Sequence, residues 1–159
     1  MNLEELKEGL AEDGYEPINI TIEEWLFLNG FDDNRELVVE WLKALRSGDY
    51  KQGRGSLCNK NEYCCLGVLC EIAKIPKSVV SSKVLKADIF EYEGETGYLP
   101  HTLVIKLGIS KFGSIGNTSY SLAALNDEFG STFELIANVI ESYPHLLFTH
   151  YPTLSINHG

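Results

Sequence analysis

Residues 41–76, WLKALRSGDYKQGRGSLCNKNEYCCLGVLCEIAKIP, decide how this chain is read. The stretch holds all four cysteines, a Gly-Arg-Gly tripeptide at 53–55, and five of the thirteen basic residues between Lys43 and Lys60. It opens on the end of a helix, which Ser47-Gly48 stops. Tyr50 to Leu57 then reads as a strand. Its two-residue period sets Tyr50, Gln52 and Arg54 on one face and Lys51, Gly53 and Gly55 on the other. Asn59-Lys60-Asn61 has turn chemistry, so a hairpin with Glu62 to Cys64 is expected. From Cys65 the spacing becomes helical, with Leu66, Leu69, Cys70 and Ala73 on one stripe, and Pro76 marks the end.

The rest of the chain extends this mixed pattern. Leu3, Leu6, Leu10 and Ala11 predict an amphipathic helix over residues 2–12. Thr21 and Glu24 have capping-box spacing and open a second helix that Gly30 stops. Asp32 or Asp33 is expected to cap a third, whose inward face is Leu37, Val38, Trp41, Leu42 and Leu45. Downstream, residues 88–93 and 96–99 read as a second hairpin around Gly94 and Gly97. Pro100 opens a helix that ends at Gly108. Residues 110–119 read as a loop and residues 121–129 as a helix. Ser131 with Glu134 suggests another capping box, for a last helix ending at Pro144. The tail has no clear period and reads as a docked strand or an extended arm. The expected fold is α+β, about six helices packed around one or two short antiparallel hairpins. A single domain spans 1–159, with an acidic helical part at 1–40, a core at 41–142 and a tail at 143–159.

Length and charge exclude several function classes. A chain of 159 residues can bury a real core without disulfides. Its first residues, MNLEELKEGLAEDG, are acidic and lack the basic-then-apolar order of a secretory signal, and no apolar run approaches the ~20 residues of a membrane span. A cytoplasmic location, that of a host cell, with reduced thiols is therefore expected. The formal charge of −10 argues against general nucleic-acid binding. That charge is uneven: residues 1–40 carry twelve acids against Lys7 and Arg35, while ten of the thirteen basic residues lie between Arg35 and Lys86. Such an asymmetry suits an anionic small ligand or self-association into a homo-oligomer. A merely solubilising face explains the N-terminal acids as well.

Three separated blocks carry a family resemblance. They are LRSGDYKQGRGSL at 45–57 with YCCLGVLCEIA at 63–73, GYLPHTLVIKLGI at 97–109, and SLAALNDEFGSTFELIANVIE at 121–141. In this order they resemble a family of small bacteriophage and prophage proteins sharing a CCLGVLC-type segment, an LP-initiated short helix and an LAxLND…TFxxIAxxIE block. The resemblance covers roughly residues 41–142 and implies a phage origin rather than a mechanism. Small phage accessory proteins often counter host defence, by binding either an immune nucleotide signal or a defence protein. That link is an association.

The candidate site residues are weighed on their chemistry. Tyr50 offers a face for stacking a base, Gln52 an amide that reads a base edge, and Arg54 a planar fork for phosphate. Gly53 and Gly55 let backbone approach a ligand, and the helix starting at Cys65 could add N–H donors. The competing reading is a polar strand face with a glycine bulge. Lys51 and Arg46 join the set as neighbouring cations. Asn126 and Asp127 pose a choice between a polar site and a helix-end turn that bonds local backbone, and the turn is favoured. Cys58, Cys64, Cys65 and Cys70 lack paired metal-ligand spacing. Packing is the favoured reading for them, with a reactive thiol at Cys64 or Cys65 the alternative. Glu91, Glu93 and Glu95 on one strand face could hold a cation, although a solvated strand edge is favoured. No catalytic residue, metal site or cofactor is assigned. The expected function is that of a non-enzymatic anti-defence protein sequestering a small phosphate-bearing nucleotide signal. The alternative is an acidic protein–protein inhibitor, or nucleic-acid mimic, acting on a host defence protein. A thiol- or metal-dependent hydrolase ranks third.

Overall fold

Helix α4 (Cys65–Ile72) has every residue from Cys65 to Cys70 buried. A helix apolar on all sides must be enclosed by other elements, and the chain is arranged around this one. The computed structural model describes residues 1–80 and 88–149. Against α4 lies α3 (Arg35–Ser47), whose Val38, Trp41, Leu42, Ala44 and Leu45 are buried. The Trp41 indole N–H donates to the Cys65 carbonyl at 3.0 Å, so the largest core side chain also satisfies its one polar atom. The Leu57 carbonyl crosses α4 so closely that a Cβ on Gly67 would overlap it. Glycine at 67 is therefore fixed by backbone approach.

The other helices close this centre. They are α1 (Leu3–Glu12), α2 (Ile22–Leu28), α5 (His101–Leu107), α6 (Leu122–Asp127), α7 (Phe133–Ser142) and the single turn α8 (Pro144–Leu147). Helix α7 packs on α3, α6 and α1, while α8 packs on α7 and α2. Five short strands, β1 (Lys51–Gln52), β2 (Cys58–Asn59), β3 (Glu62–Tyr63), β4 (Lys77–Val80) and β5 (Ile89–Tyr92), form one mixed sheet in the order β1-β3-β2-β5-β4. The fold is α+β, with more helices than expected among the described residues. None of them is long and apolar enough to cross a membrane.

Several local expectations hold and others are corrected. Thr21 and Glu24 form the expected capping box, and Asn2 with Glu5 forms one that the sequence reading missed. At α7 the cap is Thr132, whose hydroxyl accepts from the Leu135 N–H at 3.1 Å, and not Ser131. Neither Asp32 nor Asp33 caps α3. Both lie in a 3-10 turn, Asp32–Asn34, that leads into it. The expected hairpin of 50–57 with 62–64 does not form. Strand β1 is two residues long and pairs with β3 in parallel, because Gly55 at φ 85° turns the chain back. The true hairpin is β2 with β3, around the anticipated turn. Likewise β5 pairs with β4 and β2 rather than with 96–99, and an isolated Tyr92–Glu95 bridge closes the turn that follows it. Glu91 thus lies on an interior strand and Glu93 in a turn at φ 53°, so the three carboxylates share no strand face. No group of carboxylates, histidines and cysteines among the described residues could hold a metal ion. Of the tail, only its first residues, with α8, belong to the described part.

Candidate functional site

Four of the seven candidate ligand residues come together, more than seventy positions apart in sequence, around the side chain of Asn126. This side chain is fully buried. Its amide oxygen accepts from Gln52 Nε2 at 2.8 Å and from the Cys65 backbone N–H at 3.2 Å. Its amide nitrogen donates to the Gly53 carbonyl at 2.9 Å and to Asp127 Oδ1 at 2.8 Å. An asparagine side chain has two donor hydrogens and two acceptor lone pairs, and all four are engaged. Gln52 Nε2 also donates to the Ser131 carbonyl at 2.8 Å. Arg54 donates from Nη1 to the Asn126 carbonyl, and Asp127 Oδ1 accepts from the Gly55 N–H at 3.0 Å. The Gly-Arg-Gly loop, the start of α4 and the end of α6 are thereby fastened to one another.

This arrangement changes what the residues can do. The expected donors at the start of α4 are occupied, since Asn126 takes the Cys65 N–H and Cys64 Sγ accepts from the Gly67 N–H at 3.4 Å. Asn126 bonds distant backbone, so the local-turn reading of its side chain is corrected. Arg54 remains exposed, yet it sits at the C-terminus of α6, where a cation complements the unpaired carbonyls. The other three candidates lie apart from this hub. Tyr50 packs edge-to-face on Tyr63 with ring centroids 5.3 Å apart. Lys51 pairs with Glu62 at 3.1 Å. Arg46 joins α3 to α7 through Glu134 at 3.4 Å, Glu141 at 3.1 Å and Asn138 Oδ1 at 2.7 Å.

The thiols are not poised for chemistry. All four cysteines are buried and unpaired. Burial pushes the Cys64 thiol up to about 12, against the weaker pull of the Gly67 N–H. Burial also raises Cys65, Cys70 and Cys58. Desolvation disfavours the thiolate more than the helix terminus favours it, so the reactive-thiol alternative loses its physical basis. A second polar cluster, missed in the sequence, joins α4 to the sheet. Glu71 Oε2 accepts from the Tyr92 hydroxyl at 2.7 Å and pairs with Lys77 Nζ at 3.0 Å. Lys77 also lies over the Tyr63 and Phe90 rings. Burial pulls the Lys77 ammonium down, but bonds to Glu71 and Tyr63 outweigh it and the net direction is up. Burial, then the Glu71 contact, holds the Tyr92 phenol neutral. The cluster therefore contains no free base or nucleophile at neutral pH.

A further concavity lies elsewhere, between α3, the end of α4 and α5. It is a groove of about 700 Å³. Asp33, Glu36 and Glu40 line one wall, while Leu37, Ile72, Ala73 and Ile75 form a half-buried apolar floor. Lys74 and Lys106 lie on its other side. The i, i+3, i+7 spacing of the three acids was visible in the sequence. The opposite wall comes from residues more than thirty positions away, which no local pattern could join to it.

Residues 34–144 match the model of the DUF8296 family, a domain of unknown function. The match covers more than half of the chain, which therefore belongs to that family. It takes in the hub and most of the groove and leaves α1 and α2 outside. No curated protein and no solved structure matches the chain.

Proposed function

We propose that this DUF8296 member is a phage-encoded, non-enzymatic protein that binds a basic surface on a host defence protein through its acidic N-terminal part, residues 1–40. One observation carries the reading. Of the twelve acids in residues 1–40, all but Asp32 are exposed. They give that part of the sequence an excess negative field, which its two cations, Lys7 and Arg35, only partly offset. Such a field raises the association rate with a basic partner and weakens with salt. Neither the raised thiols nor the engaged Lys77 cluster is poised for catalysis. Native mass spectrometry of protein purified from cells with an active defence system tests the proposal. A co-purifying basic protein is expected. Its capture should weaken with salt and fall when Glu4, Glu5, Glu8 and Glu12 are together changed to Gln. Capture that ignores both changes would overturn the reading.

A small phosphate-bearing ligand, such as a nucleotide signal, is the second reading. It is favoured by the exposed guanidinium of Arg54, one corner of which is anchored on the Asn126 carbonyl. The nearby Asp127 carboxylate opposes an anion there. Calorimetric titration of cyclic and linear nucleotides against wild type and Arg54→Ala decides it. Heat of binding that Arg54→Ala abolishes would put this reading first.

A further inference from the structure

The groove between α3 and the α4–α5 wall has the makings of a docking site, and its chemistry specifies one occupant. Asp33, Glu36 and Glu40 follow one another along the same side of the helix that begins at the 3-10 turn, over roughly 10 Å. All three are exposed, and neither Asp33 nor Glu36 has an ion pair among the described residues. Glu40 has one, to Lys43 at 3.7 Å, with both side chains more than half exposed, so the pair is weak. The fourth carboxylate lining the groove, Glu71, is already answered by Lys77. Beneath the acids run Leu37, Ile72, Ala73 and Ile75, partly buried side chains at the edge of the core, with buried Leu103 behind them.

An apolar floor beside a row of exposed carboxylates, two without an ion pair among the described residues and one weakly paired, calls for a ligand that is apolar on one side and cationic on its flank. The one-to-two-turn spacing of the acids matches cations repeating along a helix. The geometry points to a basic amphipathic helix of a partner protein, laid along α3 with its apolar stripe on Leu37, Ile72 and Ile75. Its cations face Asp33, Glu36 and Glu40. Lys74 and Lys106, on the opposite lip, disfavour a second row of cations there, so the helix carries its charge on one flank. This inference rests on the protein-partner reading above and names the surface and the kind of segment that it takes.

The probe is a fluorescently labelled synthetic helix of about five turns, with a leucine stripe and lysines on one flank. A peptide of the same composition in shuffled order is the control. Binding is followed by anisotropy at low ionic strength, with thermal melts of each variant and amide NMR spectra of the wild type. The helical peptide should bind and the shuffled one should not. Amide shifts should fall in residues 36–40, 71–75 and 102–106. Glu36→Gln with Glu40→Gln should weaken binding about ten-fold, while Asp88→Asn with Glu128→Gln, an exposed pair outside both the groove and the acidic N-terminal part, should leave it nearly unchanged. Equal losses from the two pairs would mean that the peptide follows net charge. That result would overturn the groove and leave the acidic-surface reading standing. No binding, or equal binding of the shuffled peptide, also overturns the groove. The acidic-surface reading fails separately, when protein from defended cells carries no basic partner.

Discussion

The Asn126 hub and the α3 groove both gather polar residues next to apolar ones, yet they stand in opposite states. At the hub every donor and acceptor of the central side chain has a protein partner, and the side chain is sealed from water. In the groove Asp33, Glu36 and Glu40 are exposed, Asp33 and Glu36 have no ion pair among the described residues, and the apolar floor is half covered. A satisfied buried network contributes rigidity and leaves little capacity for a ligand. An exposed row of like charge over apolar surface contributes nothing to the fold and keeps its capacity for a partner. The residues with the most suggestive chemistry in the sequence thus hold the structure together, and less conspicuous ones line its open concavity.

The strongest way to break this contrast is Asn126→Ala. It leaves the buried Gly53 carbonyl and Cys65 N–H without their partner and releases one bond of Gln52. The expected loss is about 3–5 kcal/mol in urea unfolding. A loss below about 1 kcal/mol would mean that the hub is not structural and would return its polar groups to the ligand reading.

The thiols around α4 give the next effect. Their folded pKa values are raised, so the unfolded chain releases these protons first as pH rises. Stability is then flat below the unfolded value near 9 and falls as pH climbs from there toward about 12, the Cys64 value. The slope should approach about 1.4 kcal/mol per pH unit for each buried thiol. Urea midpoints between pH 7 and pH 10 measure it, and Cys64→Ser should reduce the slope. Rapid labelling of native Cys64 at neutral pH would contradict the sealed core.

Arg54→Ala tests the hub's outer edge. An exposed surface change would cost less than about 0.5 kcal/mol. The bond to the α6 terminus raises the expectation to about 1 kcal/mol, with Arg54→Lys recovering part of it. No change in melting temperature would free Arg54 from the fold and sharpen its case as a ligand group.

How much of this was legible follows from how local each signal is. The helical stripe of α3, the Thr21–Glu24 box and the Gly48 and Gly108 stops are decided within a few residues, and they were read correctly; α4 was read as a helix with one apolar stripe, but it is buried on all sides. The pairing of β1 was not, because a strand of two residues carries no usable period and the Gly55 turn reverses it. The α7 cap slipped by one residue, since Ser131 and Thr132 are both good caps. Gln52, Arg54, Asn126 and Asp127 were all picked out for their chemistry. That they meet, and that their meeting engages them with one another, is a fact of topology. The groove was illegible for the same reason, its two walls being joined by the packing of α3 against α4 and by the Asn34 side chain, which donates to the Lys106 carbonyl at 2.8 Å.

The smallest effect bears on the groove itself. Lys74 follows α4 in the left-handed region at φ 60°, with its N–H bonded to the Glu71 carbonyl at 3.0 Å and that of Ile75 to Cys70 at 3.0 Å. This is the helix-ending motif in which glycine is usual, because a Cβ in that conformation costs about 1 kcal/mol. Lys74→Gly relieves the strain and loses some of the gain to the greater freedom of an unfolded glycine. The expected outcome is a stabilisation of about 0.5 kcal/mol. It also removes a cation from the lip facing Asp33, Glu36 and Glu40, so the Leu/Lys helix should bind slightly more tightly. Lys74→Asn separates the two contributions: it tolerates the same backbone, removes the charge and keeps a side chain. Tighter binding by both variants, with stabilisation strongest in the glycine one, would tie Lys74 to partner choice. Stabilisation with no change in binding would leave Lys74 a strained helix end and nothing more.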